Sequence, residues 1–135
     1  MKTKMDKLFL NAFLGMTFLA STQIALAQDS EAVALGKAKF DHSCAPCHGK
    51  GAGDDGREML PGTYSLKIKY GDTLPAALED RTDLTSEVIS VFVRMGAWSM
   101  PPFRKTELSD KEIDDIAAYF NVSSRAGNQE ESVLR

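Results

Sequence analysis

The sequence predicts an all-α domain of three to four helices joined by long loops. Apolar residues recur at three- and four-residue spacing in separate segments, cap residues stand at segment starts, and glycine- and proline-rich stretches divide them. The chain has 135 residues and a formal net charge of −3.

Residues 1–27 are set apart from the fold. Lys2, Lys4 and Lys7 precede a short apolar run, LFLNAFLGMTFLA at 8–20, and Ala25-Leu26-Ala27 supplies a small-x-small cleavage pattern. Together these read as a secretory signal peptide cut after Ala27. The alternative is a membrane anchor, but the apolar run falls short of the about 20 residues a bilayer span needs. The exported chain is expected in the periplasm, with no later segment apolar enough to span a membrane. Residues 1–27 carry three lysines and one aspartate, a net +2, which leaves 108 residues with −5. That length suits one domain with a small core. The acidic balance argues against nucleic acid and suits a partner with a basic face.

The first helix is marked by Val33, Gly36, Phe40, Cys44 and Cys47, which fall on one face, with Asp29 or Ser30 as N-cap. Gly49, Gly51 and Gly53 stop it after His48. Residues 49–74 read as a loop with at most a turn of helix. PAALED at 75–80 reads as a short helix opened by its proline. Leu84, Val88, Phe92 and Met95 mark a helix near 86–95, between an N-cap at Thr85 and a stop at Gly96. The proline pair makes WSMPPF at 98–103 non-helical. SDKE at 109–112 is a capping box and opens a helix whose buried face is Ile113, Ile116, Ala117 and Phe120. The domain is expected to span 28–121, followed by a polar tail at 122–135 that frays. Loops this long in a small domain need something to wrap around.

That something is indicated by HSCAPCHG, which holds both cysteines and both histidines of the chain. Cys44-Ala45-Pro46-Cys47-His48 is a CxxCH motif, the pattern of c-type haem attachment. Two thiols one helical turn apart can each add to one of two vinyl groups on one porphyrin edge. His48 is then carried under the ring to bind iron. A disulfide between residues three apart would be a weak staple. A thioredoxin-like dithiol wants a βαβ context that is missing, and a zinc site wants four ligands that one short segment cannot fold round a metal.

A six-coordinate iron needs a second axial ligand. His42, Met59, Met95 and Met100 are the candidates. His42 lies on the same segment as His48 and cannot reach the opposite face of the ring. Met95 reads as helix core, and Met59 lies close in sequence to the proximal ligand. Met100 best meets the need, because Pro101-Pro102 hold it on a rigid, extended backbone. His/Met ligation raises the reduction potential and closes the sixth site, so such a protein carries single electrons and catalyses no bond chemistry.

These residues resemble a class I c-type cytochrome over about residues 30–121. Gly36 and Phe40 match the glycine and aromatic that precede CxxCH, and Ile116 and Tyr119 match the last helix, which the family crosses over the first. A glycine inside a helix costs about 1 kcal/mol and wants such a packing reason. Pro61 resembles the family proline whose carbonyl accepts the proximal histidine's Nδ1–H, which implies a bond from His48 Nδ1 to Pro61 O. Residues 78–96 and 100–120, with RTDLT and PPFRKTE, are similar to cytochrome subunits of flavin-dependent 4-alkylphenol dehydrogenases, the p-cresol methylhydroxylase and eugenol hydroxylase group. The resemblance implies one covalent haem c and a flavoprotein dehydrogenase subunit, or another redox protein, as electron donor. The competing functions are a free shuttle to a terminal oxidase and a haem enzyme or gas sensor with an open sixth site. Trp98, Pro101, Pro102 and Phe103 read as docking patch or haem-pocket wall. Arg81, Arg94 and Lys105 are candidates to face a propionate or a partner.

Overall fold

The computed structural model describes residues 29–133. The expected signal peptide and its cleavage site lie outside the described residues. Two compact units divide the chain, Met1–Glu31 and Ala32–Arg135. Of the first, only 29–31 are described, and they are helical. The second carries the CxxCH motif and every element after it.

The described secondary structure is helical, as expected, with a single isolated backbone bridge between Ala97 and Met100. Helix α1 covers residues 29–43. Helix α2, Ala45–His48, comes after a break at Cys44. Helix α3 is Pro61–Tyr70, a 3₁₀ turn covers Leu78–Asp80, α4 is Ser86–Met95 and α5 is Asp110–Val133. Among the described residues no helix is long and apolar enough to cross a membrane.

The core lies where α1 and α5 meet. Phe40, Leu108, Ile113, Ile116 and Phe120 are its most completely buried large side chains. The Phe40 ring meets Phe120 edge-on, with centroids 5.2 Å apart, and Tyr119 at 5.7 Å. Gly36 sits on the backbone of α5: a Cβ there would lie 1.9 Å from the Asp115 carbonyl oxygen. The crossing read from Gly36, Phe40, Ile116 and Tyr119 is therefore present. From α4, Ile89 and Val93 join the same core, with Leu84 just before it.

Two caps are as the sequence predicts. Thr85 accepts the Val88 N–H at the start of α4, and Gly96, at φ 70°, ends it. At α5 the Ser109 N–H donates to Glu112 Oε2 at 2.7 Å, and the Glu112 N–H donates to Ser109 Oγ at 3.2 Å.

Four expectations need correction. Residues 61–70 are a ten-residue helix within the stretch read as loop. Its proline start and Gly71 end are ordinary helix signals, but its apolar residues do not gather on one face, so periodicity misses it. PAALED forms only the 3₁₀ turn at its end, because Ala77 is extended at ψ 131°. Helix α5 continues past Asn121 to Val133. Its extension is held by tertiary contacts: Ser124 is buried, and Ser123 Oγ donates to the Glu79 carbonyl at 2.9 Å. Met95, read as helix core, is 76% exposed, while Ile89 and Val93 fill that role.

Candidate functional site

The CAPCH segment occupies the end of α1 and the whole of α2. The Cys44 N–H donates to Phe40 O at 2.8 Å, which ties the motif to the core aromatic. The His48 N–H donates to Cys44 O at 2.8 Å, so α2 is one tight turn. Both cysteines are free thiols; Cys44 is partly buried against the core and Cys47 is exposed. Burial pushes the Cys44 thiol up to about 11. Among the described residues no group of three or more His, Cys, Asp or Glu is placed to hold a metal ion.

His48 lies against the start of α3. A Cβ on Gly62 would sit 2.7 Å from His48 Cε1, 2.8 Å from Nδ1 and 2.8 Å from Cys47 O. Only a glycine leaves room for the ring there. Thr63 Oγ1 donates to Gly49 O at 2.8 Å and locks α3 onto the residue after the histidine. Burial lowers the His48 pKa below the ordinary histidine value, a shift toward the neutral imidazole, the form that ligates metal. Its Nδ1 is buried with no hydrogen-bond partner.

The bond expected from His48 Nδ1 to Pro61 O is thus not made. The Pro61 carbonyl instead accepts from Ser65 Oγ at 2.9 Å within α3. Pro61 still starts the helix whose second residue touches the ring. Gly62 is the residue sequence reasoning missed; its signal was a glycine directly after the helix-opening proline.

Met100 is partly buried and packs against the same core cluster as Cys44 and Phe103. Its backbone pairs twice with Ala97, N–H to O at 2.8 Å and O from N–H at 3.1 Å. Between them Trp98 is fully exposed and sits at φ 56°, a left-handed conformation uncommon for a bulky residue. A shallow groove of about 430 Å³ separates His42 and Ser43 from Pro101, Pro102 and Phe103. The segment before CxxCH and the segment after Met100 are therefore neighbours. Met59 lines a different cleft of about 540 Å³, with Lys50, Thr63, Lys67, Leu74 and Asp80.

The three candidate cations are engaged with protein groups. Arg81 is buried, paired with Asp83 through two nitrogens, and stacked over Tyr70 at 5.1 Å. Arg94 reaches Phe103 O and Asp110, and Lys105 reaches Asp110.

A family profile described as cytochrome c oxidase, cbb3-type, subunit III matches residues 31–120. The chain belongs to this family of c-type cytochromes. No curated protein and no solved structure gave a match. A cytochrome of this family binds one haem c covalently and transfers electrons. The residues present fit that group. CAPCH holds its thiols at the core end of α1, and His48 is a partly buried imidazole whose Nδ1 is enclosed without a hydrogen-bond partner.

Proposed function

We propose that this cytochrome is a periplasmic carrier of single electrons, exported by the signal peptide at 1–27. Cys44 and Cys47 would hold the haem by thioether links, and His48 and Met100 would be the ligands of its iron. The observation that carries this reading is the partly buried His48 ring, wedged against Gly62 directly after CxxC. When bound, the haem supplies a one-electron Fe(III)/Fe(II) couple. The chain fixes the ring by two bonds, orients the imidazole between Gly62 and α2, and keeps a soft thioether on a short, braced loop. A thioether favours Fe(II) and so raises the potential. Pro61 opens the helix that backs the histidine.

The donor in this reading is a flavoprotein dehydrogenase of the alkylphenol-oxidising type. The fully exposed Trp98, beside exposed Pro101 and Pro102, suits the docking face. A second reading is delivery of electrons to a terminal oxidase, and the family description, which names an oxidase subunit, favours it.

The test is an absorption spectrum of natively purified protein across its size-exclusion peak. Flavin co-eluting with haem well above the mass of the mature chain supports the dehydrogenase partner. Haem alone at monomer mass removes it. A denaturing gel stained for haem checks attachment: the stain should stay with the chain and be lost in the Cys44→Ala, Cys47→Ala double variant.

A further inference from the structure

The segment 96–103 is a closed excursion from the end of α4. It leaves at Gly96, whose N–H donates to Phe92 O at 2.8 Å. Gly96 has φ 70°, and a Cβ there would meet Met100 O at 2.8 Å, so the departure is fixed by backbone alone. The excursion turns at Trp98-Ser99 and passes through Met100. Pro101 and Pro102 come next, and neither has an N–H to offer. Phe103 therefore carries the first backbone donor after Met100, and both of its backbone polar groups are taken by α4. Its N–H donates to Val93 O at 2.6 Å. Its carbonyl accepts from Arg94 Nη1 at 3.1 Å.

Arg94 does more than close that pair. Its Nη2 donates to Asp110 Oδ1 at 2.7 Å, at the first turn of α5. One guanidinium thus joins the end of α4, the segment after Met100 and the start of α5. Its side chain is only 20% exposed, and its Nε is buried without a hydrogen-bond partner. An unsatisfied buried donor works against stability, so the Nε is not what accounts for an arginine here. The planar fork does, since it serves a carbonyl and a carboxylate at once, which a lysine ammonium on a flexible stem does not reproduce.

We propose that Arg94 is a positioning residue for the sixth ligand: it fixes the far end of the rigid Met100-Pro101-Pro102-Phe103 segment and so sets where the Met100 sulfur stands. This rests on the reading of Met100 as that ligand. Loosening the clamp lets the sulfur leave the iron more often, which opens the sixth site to a competing ligand.

The experiment uses the haem-loaded protein in its ferric form, titrated with imidazole and followed by absorption, together with a redox titration. Variants are Arg94→Lys, Asp110→Asn and Met100→Ala, with helix content checked by circular dichroism. Expected is an about tenfold gain in apparent imidazole affinity in Arg94→Lys, with a lower reduction potential and unchanged helix content. Asp110→Asn keeps a hydrogen-bond acceptor for Arg94 Nη2 while removing the charge of the pair, and shifts both readouts the same way by less. Wild-type affinity and potential in both, beside a large gain in Met100→Ala, would overturn the positioning role and leave the ligand in place. Wild-type behaviour of Met100→Ala itself would remove the ligand assignment, and the positioning role with it.

Discussion

At Gly36 two helices come closer than any side chain allows. The 1.9 Å approach of a Cβ to a backbone oxygen cannot be relieved by a rotamer change, because the obstacle is the α5 main chain. Gly36→Ala is expected to destabilise the domain by about 3 kcal/mol, read from the urea midpoint, since overpacking forces the two helices apart. Gly127, inside α5, is the control. Its nearest neighbour to a Cβ is Asp80 Oδ1 at 3.5 Å, an ordinary contact. Gly127→Ala should stabilise by up to about 1 kcal/mol through helix propensity. If both changes destabilise alike, the crossing does not set the cost. The same contrast shows what the sequence discloses at this scale. Gly36 was legible because its spacing to Phe40 and the CxxCH motif is fixed along one helix. The Pro61 carbonyl was not, because the Ser65 hydroxyl competes for it from within α3, and such a contest between donors for one acceptor leaves no periodic trace. Gly62 was hidden for a similar reason: what demands a glycine there is a ring fourteen residues back.

The start of α5 joins several weak interactions into one cap. Glu112 accepts from the Ser109 N–H and hydroxyl and pairs with Lys39 of α1 at 2.9 Å. The Lys39 ammonium and the Ser109 donors together lower its pKa from 4.5 to about 2. Because the folded value lies below the unfolded one, this stabilisation is complete above pH 4.5 and is lost as pH falls toward 2. Glu112 is 38% exposed, so screening limits the contribution to about 1 kcal/mol. Glu112→Gln should therefore show a smaller drop in urea midpoint between pH 6 and pH 3 than the unaltered chain. An identical drop would place the acid sensitivity elsewhere. Ser109→Ala removes the hydroxyl of the same cap and should cost about 1 kcal/mol at neutral pH. These ends were readable because capping is a local code of four residues. The existence of α3 and the reach of α5 to Val133 were not. Helix α3 buries only Thr63, and the α5 extension is held by the 3₁₀ turn some forty residues earlier in the chain, through Ser123 to Glu79.

Across the whole molecule, protein-only packing is uneven. The fully buried side chains belong to α1, α5 and the turn before it, while α3 leaves Tyr64 and Ile68 exposed and is joined through Thr63, Gly62 and the α2 turn. The need for a centre to wrap around comes from this same imbalance, which the sequence already carried as few apolar residues in phase between 49 and 74. Local opening costs least where buried apolar contacts are fewest. Hydrogen exchange should therefore divide the domain in two. In chain prepared without haem, amides of Phe40 and of Ile113 to Phe120 are expected to be the slowest to exchange, and those of α3 to exchange at close to the rate of an open loop. Covalent haem attachment should slow α3 by at least about tenfold if His48 is the iron ligand proposed above, because that side chain makes the Gly62 contact and a ligand stabilises most the region it orders. Uniform protection in both preparations would mean that α3 draws its order from the protein core alone, and that the histidine wedge contributes little to it.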